Sequence, residues 1–334
     1  MALAAPFIVP FFVAFLSTLV ITFFLIRKLE FAGFVGVDLN KVSKRFSKAE
    51  LEKLKRSGFK GFTVVPRSGG IAMVFGYCAA ILLSLWFAPT ASIPLLLAGL
   101  LVVCLISMIG IIEDFLPMRQ VWRVLLPAFA ALPLIFIGAG NPEMTLPLVG
   151  AVNFGWAYFL VLIPLGVIAA SNLVNLLAGF NGIEAGTGAV VAASLLSIAL
   201  MRGEAEAAFL SAALLGACLG FLLFNWFPAK IFPGNSGTYL VGGAVAAIVI
   251  IGNMEKAGVI VLMPQIIEFF FKATNRFKAE NFGVLQKDGT LRHEGPVGSL
   301  THLAMRLHLT EPQLTALFIG IQAVFGALAV WSTL

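Results

Sequence analysis

The chain has 334 residues, 60% of them hydrophobic and only 11% charged, with a formal net charge of +6. Soluble proteins average about 25% charged residues, so this balance excludes an ordinary soluble domain and points to an all-α integral membrane protein. Cys78, Cys104 and Cys218 all fall within apolar runs, which leaves no disulfide framework and no metal-type cysteine spacing.

Apolar runs long enough to span a bilayer, about 17–25 residues each, are predicted at 7–27, 70–88, 93–112, 122–138, 156–174, 187–202, 207–225, 237–252, 257–273 and 312–332. They make about ten helices in a single polytopic domain covering residues 1–334. The first run is too long for a removable signal peptide and lacks its basic n-region and small-residue cleavage site.

In the loop after the first run, Ser47-Lys-Ala-Glu50 reads as a capping box opening a short basic helix that Gly58 stops. Its weakly amphipathic pattern suits an anionic membrane surface, and a solvated charge run explains it nearly as well. In the last loop, Val284 to Leu291 reads as a β-hairpin around Asp288-Gly289, which presents Arg292 and His293 on or just after its return strand.

With ten helices, the loops 28–69, 113–121, 175–186, 226–236 and 274–311 share one side of the membrane. All of the 22 basic residues except Arg202 and Lys256 belong to that side, which makes it cytosolic and both termini external by the positive-inside rule. The external loops are short and bland.

The segment from Ser171 to Gly186 is the most unusual, because it puts Asn172, Asn175, Asn181 and Glu184 at a membrane helix end and the turn after it. Polar groups this close to hydrocarbon must face protein, water or a ligand. Asn172 and Asn175 share a helix face, and Gly179 and Gly182 let the backbone bend and approach a ligand. Glu113-Asp114, Asn235-Ser236 and the three histidines, His293, His302 and His308, lie on the same side. Every group able to do chemistry converges there.

Acidic and amide oxygens at a membrane surface suit Mg²⁺, a hard cation usually held by few protein oxygens together with substrate phosphates. Arg119, Arg123, Arg292 and His293 could hold phosphate oxygens, and a metal in a basic surround stabilises charge during phosphoryl transfer. No nucleotide-binding GxxxxGK[ST] loop or kinase signature is present. The residues alone leave two chemistries open: phosphoryl transfer, and transport of an anionic substrate between helices.

Taken together, the motifs resemble the polyprenyl-phosphate N-acetylhexosamine-1-phosphate transferases, most closely the archaeal and eukaryotic branch acting on UDP-GlcNAc and dolichyl phosphate. The likeness runs in order along nearly the whole chain. Its parts are Gly36-Val-Asp-Leu-Asn-Lys41, Pro66-Arg-Ser-Gly-Gly70, Glu113-Asp114 through Pro127, Asn172 to Gly186, Phe224 to Pro228 with Phe232-Pro-Gly-Asn-Ser236, Pro264-Gln265, and Arg292-His293.

The resemblance implies an enzyme in which the lipid phosphate attacks the β-phosphorus of UDP-GlcNAc, forming lipid-diphosphate-GlcNAc and releasing UMP with the help of Mg²⁺. It implies Asn175 and Asn235 as metal ligands, Asp114 positioning or deprotonating the lipid phosphate, Glu113 beside it, and Arg123 on phosphates. Phe232 would stack on uracil, the backbone near Gly179 and Asn181 would meet the uridine, and Arg292 and His293 would bind pyrophosphate and sugar. Asn172, Glu184 and Lys41 complete the substrate-binding set. A homodimer also follows from it, while the short external loops and modest length point to an archaeal cell membrane, with the endoplasmic reticulum as the alternative. Three departures stand out: Asn235 where the family carries Asp, Glu113 for the first Asp of the acidic pair, and Glu294 where eukaryotic members carry Arg. The rival readings are an enzyme using undecaprenyl phosphate or another UDP-N-acetylhexosamine, and a catalytically weak binding or transport form.

Overall fold

A computed structural model describes residues 5–41, 63–116, 118–146 and 150–334. Each predicted apolar run is helical within it. In chain order the helices are α1 (Ala5–Phe31), α2 (Gly70–Ser84), α3 (Ile93–Phe115), α4 (Gln120–Ala130), α5 (Leu132–Phe136), α6 (Ile163–Leu176), α7 (Ile183–Arg202), α8 (Ala205–Asn225), α9 (Gly234–Ile251), α10 (Glu255–Val261), α11 (Met263–Thr274), α12 (Leu300–Met305) and α13 (Glu311–Trp331). A π-helical turn, Tyr158–Leu162, leads into α6.

Proline does much of the punctuation. Pro94, Pro133, Pro164, Pro264 and Pro312 sit in the first turn of α3, α5, α6, α11 and α13, where an N–H is not needed by the helix. The same residue disfavours helix where it falls mid-run, because its ring clashes with the carbonyl one turn back, although α1 continues through Pro10 and α4 through Pro127. The stretch expected as one span over 257–273 is accordingly split before Pro264 into α10 and α11, bent by 61°. The stretch at 122–138 is likewise divided at Ala131 into α4 and α5.

Among the described residues, seven helices are long and apolar enough to cross a membrane, or eight if the bent α10–α11 pair is one span. The expected ten is reduced because α2, at 15 residues, and the broken 120–136 segment are short.

The bundle is built around α9. Of its most apolar stretch 89% is buried inside the protein, against 22% for α1, whose Phe12, Leu16, Val20 and Phe24 face outward. α9 packs on α2, α3, α6, α7 and α8. Small residues allow this closeness: a Cβ at Gly110 of α3 would lie 2.6 Å from the carbonyl oxygen of Asn235, and one at Gly70 of α2 would overlap the backbone of Gly237.

Three small antiparallel pairs decorate the bundle. β1 (Val35–Val37) pairs with β2 (Val64–Pro66), with Val35 opposite Pro66. β3 (Glu143–Leu146) and β4 (Gly150–Asn153) form a hairpin between α5 and α6, in a loop expected to be bland. β5 (Val284–Leu285) and β6 (Leu291–Arg292) form the anticipated hairpin. Its turn places Gly289 at φ +80°, and Asp288 Oδ1 accepts hydrogen bonds from the backbone and hydroxyl of Thr290. The basic helix expected after Ser47 lies outside the described residues.

Candidate active site

The C-terminal ends of α3, α6 and α11 meet the N-terminal end of α9 around a polar cavity of about 510 Å³. Its lining includes Asp114, Asn175, Gly179, Glu184, Phe232 and Asn235, six of the residues singled out by sequence.

The inner wall is organised by Asp114. This buried carboxylate, at the end of α3, accepts hydrogen bonds from the backbone N–H groups of Asn235 (2.7 Å) and Ser236 (3.1 Å). Those are orphan donors in the first turn of α9, so Asp114 acts as a cap supplied from another helix, and a carboxylate there also complements the helix dipole. One turn into α9, the Thr238 hydroxyl contacts the Asn235 carbonyl (3.2 Å) and donates to Asn175 Oδ1 (3.1 Å). The ends of α6 and α9 are thereby joined through oxygens facing the cavity.

The second wall is the turn between α6 and α7. Gly179 and Gly182 adopt φ +107° and +86°, a region other residues enter only with strain. The turn's backbone is gripped from several directions. Glu184 Oε1 accepts from Gly179 N (2.9 Å), Asn40 Nδ2 donates to Gly179 O (2.8 Å), and Asn281 Nδ2 donates to Leu176 O and Ala178 O (2.9 and 2.6 Å). Asn181 turns inward: its N–H donates to Glu311 Oε1 and its side-chain amide reaches Asp38 Oδ2 (3.4 Å). The Asn181 side chain therefore braces the loop from behind and does not line the cavity.

Other sequence candidates also stand outside the lining. Arg123 pairs with Glu113 (2.7 Å), whose second oxygen accepts from Tyr239 (3.2 Å). Asn172 donates to the carbonyls of Arg123 and Ile168, tying α6 to α4. Three residues along a helix is 300° of rotation, and that offset of 60° turns Asn172 to α4 while Asn175 faces α9. Arg292 is exposed on β6. His293 stacks on His302 with centroids 3.4 Å apart, and His302 in turn contacts the carbonyl of Glu280, a cavity residue (2.7 Å). Lys41 ends the short 3₁₀ turn Leu39–Lys41.

The cavity also contains residues the sequence reading did not assign: Asp38, Arg67, Thr238, Lys272, Asn281 and Phe282. Asp38 and Arg67 lay within matched motifs and could have been found there. Asn281 and Phe282 sit in an aperiodic loop with no local signal.

An apolar bundle whose helix ends converge on one polar cavity defines a polytopic membrane protein with a candidate site at its helix ends. Residues 96–253 match glycosyl transferase family 4. A protein of Saccharolobus solfataricus, provisionally named a UDP-N-acetylglucosamine–dolichyl-phosphate N-acetylglucosaminephosphotransferase, is 32% identical over 99% of this chain and 96% of its own length. A Sulfolobus acidocaldarius protein with the same provisional name is 34% identical over 95% of this chain and 93% of its own. The phospho-N-acetylmuramoyl-pentapeptide-transferase of Halalkalibacterium halodurans is 34% identical over 57% and 62%. The chain belongs to glycosyl transferase family 4.

Proposed function

We propose that this protein transfers GlcNAc-1-phosphate from UDP-GlcNAc to dolichyl or a related polyprenyl phosphate, releasing UMP, on the cytosolic side of an archaeal cell membrane. Full-length likeness to the two archaeal relatives supports the substrate pair. The observation that carries the reading is the joining of Asn175, Thr238 and Asn235 on one cavity wall at the end of an apolar bundle.

The donor set suits Mg²⁺. Asn175 Oδ1 and Thr238 Oγ1 lie 3.1 Å apart and Asn235 lines the same wall. These are hard, neutral oxygens, of the kind that hold Mg²⁺ when substrate phosphates supply the remaining charge. When bound, Mg²⁺ would draw negative charge off the diphosphate.

The chain's own residues do the rest. Asp114 fixes the first turn of α9 and so sets Asn235 and Thr238; with both carboxylate oxygens accepting hydrogen bonds, it acts by positioning. Phe232 offers a ring to the uracil, and the turn around Gly179 offers backbone to the uridine. An oxygen of the lipid phosphate attacks the β-phosphorus, the bond from that phosphorus to the bridging oxygen breaks, and UMP leaves. The lipid phosphate is already anionic at neutral pH, so the step requires no base.

An apolar cavity of about 280 Å³ is lined by Leu173, Ala170 and Gly166 of α6, Val245 and Val249 of α9, and Ile266 of α11. These helices also supply Asn175, Thr238 and Lys272 to the polar cavity, so a polyprenyl chain lying along them would carry its phosphate to the reacting groups. The test is UMP release by purified protein from UDP-GlcNAc and dolichyl phosphate across Mg²⁺ concentrations. Release dependent on all three components supports the reading; no release with these or other UDP-N-acetylhexosamines refutes it.

A further inference from the structure

We infer that Arg67 is a phosphate-binding cation of the cavity, a role that rests on the transferase reading for its substrates but not for its chemistry. The side chains expected to hold phosphates, Arg119, Arg123, Arg292 and His293, do not line the cavity. Among the described residues, two basic side chains do: Arg67 and Lys272.

Lys272 is already committed. It is buried, donates to the carbonyl of Ala279 at 2.7 Å, and lies 3.7 Å from Glu268. Arg67 is exposed to the cavity, and its one hydrogen bond from the side chain among the described residues runs from Nη2 to the main-chain carbonyl of Asp114 (3.3 Å). A guanidinium carries five N–H donors. That bond orients the group, and its remaining donors and full charge stay available for an anion.

The backbone around Arg67 is held from both sides. Its N–H donates to Phe34 O, Phe232 N donates to Pro66 O, and Gly69 N donates to Phe232 O. Arg67 and Phe232 are thus fixed relative to each other by main-chain bonds. Ser68, the next residue, is buried at φ +71°, a left-handed conformation that costs a non-glycine residue free energy and persists only where the surroundings impose it. The kink turns the chain from β2 into α2 directly after Arg67. A planar fork fixed this way suits bidentate contact with phosphate oxygens better than a flexible ammonium does. Both a nucleoside diphosphate and a prenyl phosphate offer such oxygens.

The test is calorimetric titration of detergent-purified protein in Mg²⁺ buffer with uridine, UDP and farnesyl phosphate, comparing the unaltered chain with Arg67→Gln and Arg67→Lys. Arg67→Gln is expected to weaken UDP or farnesyl phosphate binding by about 10-fold or more, the scale of a lost charge-assisted hydrogen bond. Uridine binding should be unchanged and Arg67→Lys should fall between. The arm that weakens identifies which phosphate Arg67 holds. Equal binding of both phosphates by Arg67→Gln and the unaltered chain overturns the inference, as does an unaltered chain that binds neither. Weakening in all three arms, uridine included, would mark a structural defect and also overturn it. Failure of the transferase reading looks different: the unaltered chain releases no UMP while the Arg67-dependent difference in anion binding persists.

Discussion

The inner wall of the cavity and the last long loop carry motifs of equal prominence in the sequence, yet they are built in opposite ways. On the inner wall, Asp114 caps α9, Thr238 bridges to Asn175, and glycines bring α2 and α3 against the α9 backbone. Each group there sits at a helix end inside the bundle and is tied to a neighbouring helix. The hairpin bearing Arg292 and His293 is held by two short strands and side-chain contacts, with Arg292 exposed and His293 reaching the cavity wall only through His302 and Glu280. Preorganised donors contribute most to a transition state because they need not reorganise during the reaction. The chemistry should therefore be concentrated on the inner wall, and the hairpin should act on binding.

The largest expected effect is from Asn175→Ala. Losing the oxygen that joins α6 to α9 should lower kcat by about 100-fold or more, with uridine affinity largely kept. Measuring UMP release alongside uridine titration checks this, and turnover at the unaltered rate would remove Asn175 from the metal set. Next is Asn235→Asp, which adds a charged oxygen to a neutral donor set and should lower the Mg²⁺ needed for half-maximal rate severalfold. An unchanged Mg²⁺ dependence would mean that position 235 does not meet the metal. On the hairpin, Arg292→Ala should change the KM for UDP-GlcNAc by about fivefold or less, as for an exposed charge outside the cavity lining, and leave kcat nearly unaltered. A fall in kcat matching that of Asn175→Ala would abolish the distinction between the two regions.

The difference also explains what could be read from sequence. Helices were legible because lipid demands long apolar runs, and the Ser171–Gly186 segment was legible because it violates that demand. Side-chain direction was harder. Glu113 and Asp114 are adjacent, so they point about 100° apart on α3; one meets Arg123 and the other caps α9. The merging of two short helices into one predicted span at 122–138 came from reading apolarity without weighing Pro133, which opens the second of them. Arg67 lay within a matched motif, but its place in the cavity depends on pairing between β1 and β2 and on bonds to Phe232, distant in sequence. Asn281 was invisible for a like reason: it holds the carbonyls of Leu176 and Ala178, more than a hundred residues away in sequence.

The smallest predicted effect is the most discriminating for this comparison. Asn172 and Asn175 are the same residue type on the same helix, three positions apart, and both belong to the motif that stands out in the sequence. Asn172 donates to Arg123 O and Ile168 O and does not line the cavity. Asn172→Ala should thus cost about 1 kcal/mol of stability, the net value of a typical hydrogen bond, and leave the Mg²⁺ dependence and both substrate KM values unchanged. Thermal unfolding in detergent and steady-state kinetics on the same preparation check it. A variant as stable as the unaltered chain but slow in transfer would place Asn172 with Asn175 on the reacting side. The 60° between them would then not separate scaffold from site.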